Sequence, residues 1–534
     1  MALQPPTHGA VPEPSVEAVQ RPAARLAAGS DSSNSVSNGY SRRQILVSVL
    51  TIIEVCALAV LEWPSLYNFN KFAFWDWGGY LVANGLLHHS RVPIVDFGWQ
   101  YGLLPLFIQE SWFRLAGTSP ASFMMLSVPC ALVLTLILQD FIHAESGAPG
   151  HVLLAASLPF IVGIGADLPH ALEPILISAA LLMQAHGRRP QALAMAAAAC
   201  FVKPSMGYLL GLTLLILILA DLRRRKKLTP VELFSAAMPA LCAVIGLSLL
   251  MSAAFGRTAV IESLVPISGA KAYKLLHFGW TGNAWRVFYF PGVHPSYYLG
   301  TPVAFWVCAS LFLIIVVFFT ARRSFAAVAP TPANFEVVAT CAILHFGFIA
   351  FFYGSPSSWT YYAYILVIGV AAVDRWRPLA AKGVWALCIL AALGNYGLLK
   401  SSISDWRIMR RGAATAGLYA VPAENAEWER VAALTKEDRP FLFTWTGGAA
   451  AMFPWLRPAA GAFVVPGVAT VKEIGATLQS LRSAKVVIVP TIPGLGNPIS
   501  NWPGTEFKTA LVGKRLIYKG IYFEVYKQTL DSVR

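Results

Sequence analysis

Apolar runs about as long as a lipid bilayer is thick follow one another between residues 45 and 400. Of the 534 residues, 56% are hydrophobic and 13% are charged, whereas charged residues make up about 25% of an ordinary soluble domain. A transmembrane β-barrel would show short segments of alternating polarity instead of long unbroken runs. The sequence therefore predicts an all-α polytopic membrane protein.

We predict about eleven transmembrane helices from the lengths of these runs. The first is Ile45–Trp63, and the others lie near residues 121–143, 151–165, 171–186, 191–203, 206–222, 232–255, 300–320, 336–353, 358–373 and 380–399. Basic clusters such as Arg223–Lys227 directly follow apolar runs, as cytoplasmic anchors do. This placement, rather than nucleic acid, accounts for the net charge of +14. It predicts a cytoplasmic N-terminus, and the odd number of spans then predicts an extracytoplasmic C-terminus.

One apolar segment, Tyr101–Gly117, is interpreted as a helix that lies along the outer face. It contains Pro105, Glu110 and Arg114, and a crossing there would put the later basic clusters outside. The seven cysteines all lie inside apolar runs and form no CxxC pair, and the histidines show no metal-ligand spacing. Cysteine or histidine chemistry is therefore not indicated.

Three regions follow from these patterns. Residues 1–41, rich in Pro, Ser and Ala, are predicted to be a disordered cytoplasmic N-terminus. Residues 42–400 form the transmembrane domain, with a first outer loop over 64–120 and a large outer loop over 256–299. Residues 405–534 are predicted to be a small extracytoplasmic α/β domain. Its predicted elements are helices at Glu424–Leu434 and Val471–Leu481, strands at Phe441–Trp445 and Lys485–Pro490, and a hairpin over Arg515–Lys527 that turns at Lys519-Gly520.

The first outer loop carries a motif, FWDWGGYLVANGLLHHSRVPIVDFGWQYGLLP, over residues 74–105. Asp76 follows the first apolar run, then come Gly-x-Tyr-Leu, a short amphipathic helix and a Pro-x-x-Asp-Phe…Tyr-Gly-x-x-Pro tail that contains Asp96. This motif resembles the first outer loop of GT-C glycosyltransferases, which use polyprenyl-phosphate sugars and include protein O-mannosyltransferases and the aminoarabinose transferase of lipid A. The resemblance extends loosely over residues 45–400. In the family a second acid usually follows the first, and Trp77 stands at that position here.

The resemblance implies a base at Asp76 and a second motif acid at Asp96. It also implies that Asp167, in Gly-Ala-Asp-Leu-Pro, and Lys203, in Lys-Pro, belong to the substrate and phosphate site. A structural reading stays open for each: a cap or a salt bridge to Lys71 for Asp76, a turn for Asp96, a helix cap for Asp167 and snorkelling for Lys203. Further phosphate candidates lie in the large outer loop: Lys271, Lys274 and Arg286.

The polar groups gather at the outer ends of the predicted helices, and this distribution favours an enzyme. A transporter more often has acids near the bilayer midplane and two related halves. The one-sided set is Asp76, Asp96, Asp167, His170, Glu173, Lys203, Lys271, Lys274, His277, Arg286 and His294. It suits a reaction at the outer leaflet, in which a carboxylate takes a proton and cations stabilise a leaving phosphate.

We therefore expect a GT-C-type glycosyltransferase that moves a sugar from a polyprenyl-phosphate donor to a lipid, glycan or protein acceptor. The expected location is the outer face of a bacterial inner membrane. A lipid-linked glycan polymerase or ligase, with a diphosphate donor, and a non-enzymatic lipid-glycan transporter or flippase are the alternatives. Expected partners are the lipid-linked donor, the acceptor and membrane lipids, without nucleic acid. The sequence identifies no cofactor, and a divalent cation stays possible.

Overall fold

The computed structural model describes residues 42–99, 101–145, 148–165, 167–227, 229–265, 302–324, 333–351, 363–376, 381–464, 469–491, 497–501 and 505–529. The chain divides into two units, residues 1–47 and residues 48–534. Of the first unit, residues 42–47 are described as the start of a helix that ends at Leu61. The predicted disorder of residues 1–41 lies outside the described residues. All contacts discussed below belong to the second unit.

Sixteen helices are described up to residue 408. In chain order they are α1 (Arg42–Leu61), α2 (Trp63–Leu66), α3 (Phe69–Ala73), α4 (Asp76–His88), α5 (Leu103–Ala116), α6 (Pro120–Glu145), α7 (Ala148–Gly165), α8 (Leu168–Ala185), α9 (Arg189–Cys200), α10 (Pro204–Arg224), α11 (Pro230–Phe255), α12 (Arg257–Leu264), α13 (Pro302–Ser324), α14 (Ala333–Phe351), α15 (Ala363–Trp376) and α16 (Ala381–Ile408). Proline begins several of them, because the first turn needs no N–H from that residue.

Six of the described helices are long and apolar enough to cross a membrane. They contain residues 44–61, 120–143, 168–185, 204–224, 230–255 and 382–408. Four shorter apolar helices cover residues 148–163, 305–318, 335–347 and 364–373. Ten predicted spans thus coincide with apolar helices. The remaining one coincides with α9, which has 12 residues and is not among the ten, so the count of eleven stays a prediction.

Alanine explains how the short helix α9 packs inside the bundle. Its sequence, RPQALAMAAAAC, presents small side chains, and it packs against α8, α10 and α11. Small residues let helix backbones approach closely inside a membrane. Helix α8 starts next to Asp167, and α9 runs back toward the start of α8. Lys203, which follows α9, therefore lies near Asp167 and forms an ion pair with Glu173.

The C-terminal part is built on a four-stranded sheet in the order β3-β4-β6-β5. After a small antiparallel pair, β1 (Arg410–Arg411) with β2 (Tyr419–Ala420), the elements are α17 (Pro422–Thr435), β3 (Phe441–Leu442), α18 (Gly448–Met452), α19 (Val471–Ser483), β4 (Val486–Pro490), α20 (Pro498–Asn501), α21 (Glu506–Ala510), β5 (Lys514–Lys519) and β6 (Phe523–Gln528). Strand β3 runs parallel to β4, while β4–β6 and β5–β6 are antiparallel. The predicted helices, strands and hairpin therefore lie close to where the sequence put them.

The C-terminal part and the first outer loop share one hydrophobic core. Phe69, Tyr80 and Trp99 of the loop cluster with Phe463 and Phe523 of the C-terminal part. Helix α16 also continues to Ile408, past the predicted start of the separate domain, and residues 48–534 form one compact unit. The domain boundary at residue 405 thus stays a prediction, and the important contacts are those that cross it.

Candidate functional site

Asp76 lies in the first turn of α4, directly after Trp75, which occupies the N-cap position with an extended backbone. A carboxylate in the first turn of a helix is favoured by the unpaired N–H groups there. Trp75 is 40% exposed and Asp76 is half-buried, whereas Trp77 and Tyr80 are buried. Trp75 and Asp76 therefore lie at the accessible edge of an otherwise buried aromatic cluster.

Asp167 lies at the start of α8, and its side chain does not cap that helix. Trp77 donates a hydrogen bond from Nε1 to Asp167 Oδ2 over 3.2 Å. Tyr80 donates from its hydroxyl to Asp167 Oδ1 over 3.1 Å. The carboxyl group, 7% exposed, thus joins α8 to the helix that carries Asp76. The helix-cap reading of Asp167 is wrong.

Asp76 and Asp167 form an electrostatically coupled pair. Burial raises the pKa of Asp167 to about 7, and the negative charge of Asp76 adds to the rise. The hydrogen bonds from Tyr80 and Trp77 and the charge of Lys203 act in the opposite direction. Burial, followed by the charge of Asp167, also raises the pKa of Tyr80 well above its usual value. Burial and the charge of Asp76 therefore both favour the protonated form of Asp167.

Lys203 precedes α10 and points into the same polar cluster. Its Nζ lies 2.9 Å from His170 Nδ1 and 3.1 Å from Glu173 Oε2. Because an ammonium group only donates, Nδ1 of His170 accepts, and Nε2 is left to pair with the Tyr101 hydroxyl at 3.1 Å. The side chains of Lys203 and Glu173 are 17% and 2% exposed. Lys203 is therefore an inward-facing, paired lysine, and the snorkelling reading is wrong.

The Tyr-Gly pair of the loop motif joins the loop to the backbone before Lys203. Gly102 donates its N–H to the Val202 carbonyl over 2.7 Å, and Leu104 donates to the Phe201 carbonyl over 2.9 Å. A Cβ on Gly102 would clash with the Phe201 carbonyl group, so only glycine permits this approach. Tyr101 is thereby held beside His170. The motif thus builds the site through its backbone as well as through its acids.

Lys71 and Glu62 are site residues to which the sequence reading gave no role of their own. Lys71 Nζ lies 4.7 Å from the centroid of the Trp77 ring, on the helix that precedes α4. Burial lowers the pKa of Lys71 to about 8 despite the nearby carboxylates of Glu62 and Asp167. A cation behind the indole that binds Asp167 is a second source of positive charge near the carboxyl pair.

Asp96, the other predicted motif acid, makes its contacts elsewhere. Its Oδ2 accepts the Val92 N–H at 2.9 Å, and its Oδ1 pairs with Lys472 Nζ at 2.8 Å. The hydrogen bond from Lys472 and the Val92 N–H lower the pKa of Asp96. These contacts match the turn-forming alternative and add an ion pair to α19. The catalytic role of Asp96 stays a prediction.

The remaining predicted phosphate ligands, Lys271, Lys274 and Arg286, lie outside the described residues. Within the described ranges, no group of three or more His, Cys, Asp and Glu side chains has the arrangement of a metal site. The residues brought together are thus Asp76, Asp167 and Lys203. Helix spacing is the signal that identifies their further partners, since His170 and Glu173 follow Asp167 by three and six positions on α8.

No protein-family model and no curated protein sequence matches this chain. Among solved structures, it is similar to ArnT from Cupriavidus metallidurans bound to undecaprenyl phosphate, with 12% identity, a TM-score of 0.45, and coverage of 90% of this chain and 98% of ArnT. It is also similar to the archaeal oligosaccharyltransferase AglB from Archaeoglobus fulgidus in complex with an inhibitory peptide and a dolichol-phosphate, with 12% identity, a TM-score of 0.43, and coverage of 92% and 75%. Both belong to the GT-C superfamily that the first outer loop resembles.

Proposed function

We propose that this chain is an integral membrane glycosyltransferase of the GT-C type, which moves a sugar from a polyprenyl-phosphate donor to a lipid, glycan or protein acceptor at the outer face of a bacterial inner membrane. The observation that carries this proposal is the coupled carboxyl pair of Asp76 and Asp167 close to the Lys203 ammonium. The motif of residues 74–105 supports the same assignment.

The proposed reaction needs a base and a stabilised leaving group. An acceptor hydroxyl gives its proton to a carboxylate while its oxygen forms a bond to the anomeric carbon of the sugar. The bond from that carbon to the phosphate oxygen breaks, and the electron pair leaves with the polyprenyl phosphate. Attack from the face opposite the phosphate inverts the anomeric configuration. The protein supplies the proton acceptor and the positive charge.

Asp76 is the proposed base because it is the more accessible carboxyl group of the pair. Asp167 is buried and holds Trp77 and Tyr80, so its proposed part is to position α4 and to keep a negative charge or a shared proton beside Asp76. Partial burial makes a carboxylate a better proton acceptor than a free aspartate. The division between one accessible and one buried carboxyl group suits a general base with a supporting partner.

Lys203 is the proposed ligand of the donor phosphate in the described part of the chain. Lys203 is the N-cap residue of α10, and the unpaired N–H groups at a helix N-terminus also favour an anion. The lysines and the arginine predicted for this role in residues 256–299 remain proposals of the same kind. A divalent cation remains open as an additional partner of the phosphate.

The lipid pool of a deletion strain tests the donor class. Mass spectrometry of lipid extracts from the deletion strain and its parent is expected to show an accumulated sugar linked to polyprenyl monophosphate, together with one missing sugar in an envelope glycan. The mass also identifies the sugar. An accumulated diphosphate would support the polymerase or ligase alternative, and unchanged lipids and glycans would contradict the proposal.

The base assignment is tested with purified Asp76→Asn, which keeps the shape of the side chain but accepts no proton. Loss of a general base costs a factor on the order of 10² to 10⁴ in turnover. We expect donor binding to survive and transfer to fall by that factor. Asp96→Asn is the matched control, since Asp96 lies in the same loop but pairs with Lys472, and it should do less damage. Transfer by Asp76→Asn within a few-fold of the parent would exclude Asp76 as the base.

A further inference from the structure

The segment of residues 446–463 in the C-terminal part packs directly on the helix that carries Asp76. Thr446 donates a hydrogen bond from Oγ1 to the Trp75 carbonyl over 2.9 Å. Trp75 is the residue immediately before Asp76 and the N-cap of α4. The segment therefore fixes the backbone at the start of α4 across 371 positions of sequence.

Two glycines let the segment and α4 touch backbone to backbone. A Cβ on Gly78 would lie 2.7 Å from the Cα of Gly448, which is closer than real Cβ contacts. A Cβ on Gly448 would clash with the Phe72 carbonyl oxygen and with Gly78. Neither position tolerates a side chain without a shift of the first turn of α4. That turn contains Asp76.

Phe463, at the far end of the segment, packs on Tyr80, one of the two aromatic residues that bind Asp167. Its ring would be 2.5 Å from a Cβ on Gly79, so it fills the space that this glycine leaves. Its centroid lies 5.9 Å from that of Tyr80 and 6.0 Å from that of Trp99. Because the Tyr80 hydroxyl donates to Asp167, a shift of Phe463 is passed to the carboxyl pair.

Glu473 joins this segment to the other half of the loop motif. The carboxylate, 1% exposed, accepts the Ala462 N–H at 3.1 Å on Oε1. It accepts the Gly98 N–H at 2.6 Å and the Thr470 N–H at 2.8 Å on Oε2. The residue next to Phe463 and a residue of the first outer loop are thus bound by one buried side chain. Its contacts within α19 form a capping box, which fixes the side chain itself.

We propose that the segment 446–463, fixed by Glu473, is a positioning element of the Asp76–Asp167 pair, so that the C-terminal part belongs to the active centre. The inference rests on the proposed function for its link to catalysis. The contacts that carry the inference run from the segment to Trp75, Gly78 and Tyr80. A domain that only bound a glycan would not need these contacts with α4.

The test compares two buried phenylalanines of the C-terminal part in the full-length protein. Phe463→Leu removes the ring that packs on Tyr80. Phe507→Leu is the matched control, because Phe507 is equally buried but packs on Phe443 on the other side of the sheet. Both variants should lose comparable thermal stability. A misplacement of about 1 Å costs on the order of 10²-fold in rate, so turnover is expected to fall by about that much in Phe463→Leu alone, with donor KM little changed.

A hydroxyl series and hydrogen exchange complete the test. Thr446→Val should lower turnover and Thr446→Ser should restore it, because only the second keeps the hydrogen bond to Trp75. Hydrogen exchange over residues 75–84 should quicken in Phe463→Leu and not in Phe507→Leu. Equal loss of turnover in both phenylalanine variants, or no difference in exchange, would overturn the inference. If the parent protein transfers no sugar, the proposed function is refuted. Faster exchange in Phe463→Leu than in Phe507→Leu would still support the positioning role in that case.

Discussion

The ion pair between Lys203 and Glu173 makes a quantitative prediction about stability. The Nζ–Oε2 distance is 3.1 Å, and Glu173 is 1% exposed overall. At that separation the Coulomb attraction is about 5 kcal/mol for an effective dielectric constant of about 20. Most of this attraction is offset by the cost of taking both charges out of water. Removal of the lysine alone, however, leaves a buried carboxylate without its main positive partner.

Lys203→Met is therefore expected to lower the free energy of unfolding by about 3 to 5 kcal/mol, the usual cost of breaking a buried pair. The double variant Lys203→Met/Glu173→Gln removes both charges and should recover most of the loss. The coupling energy from the complete cycle should then be on the order of 2 to 3 kcal/mol. Equilibrium unfolding of the purified protein in mixed detergent micelles measures all four corners of the cycle.

The exposed pair of Lys527 and Asp438 provides the control. Its two side chains are 50% and 29% exposed at a separation of 3.0 Å. Because surface pairs contribute about 0 to 1 kcal/mol, Lys527→Met should hardly change unfolding. If Lys203→Met has the same free energy of unfolding as the parent, the buried pair contributes nothing to stability and the prediction is wrong. The double variant also separates two effects, since a stable double variant that cannot use the donor would assign Lys203 to the phosphate.

Three further predictions follow from the site. The pKa of Asp167 in the folded state, about 7, exceeds its ordinary value of 3.8. Between these pH values the folded state holds a proton that the unfolded state has lost. The free energy of unfolding should therefore fall by a few kcal/mol as pH rises from about 4 to 7. Asp167→Asn should flatten that decline in pH-dependent unfolding. The same variant should also lower sugar transfer. Asp167 accepts from Trp77 and Tyr80 on its two separate oxygens, whereas an asparagine has only one oxygen. Reporter fusions after Ser119 and Gly187 should read outside and inside, and a cytoplasmic signal after Ser119 would contradict the one-sided arrangement of acids.

The sequence allowed the elements to be predicted more fully than their contacts. Apolar runs fix the positions of membrane helices because the bilayer demands length and hydrophobicity, and α8 and α10 begin within about three residues of their predicted starts. The hairpin turning at Lys519-Gly520 was likewise readable, since its strands end at Lys519 and resume at Phe523. Such features depend on local composition, so one sequence is enough to find them.

Contacts between distant segments could not be predicted in this way. The sequence Thr-Val-Lys-Glu that ends at Glu473 indicates a capping box. It does not indicate that Glu473 also binds Gly98, which is 375 positions away. The snorkelling reading of Lys203 was wrong for the same reason. A lysine before a proline at a helix start looks exposed, and its burial depends on the return of α9 to the level of Glu173. Where a charge lies relative to water is a tertiary property.

Trp77, the residue directly after Asp76, connects these observations. With two adjacent acids, one helix turn would set the distance between the carboxyl groups. Here the indole N–H of Trp77 donates instead to Asp167, so the second carboxyl group comes from the start of α8. The geometry of the pair then depends on how α4 packs against α8, which no local sequence controls. Backbone contact between Gly78 and Gly448 and the Phe463–Tyr80 contact restrict the position of α4. A carboxyl pair divided between two elements depends on how those elements pack, which is the reason for the positioning role that we propose for the C-terminal part.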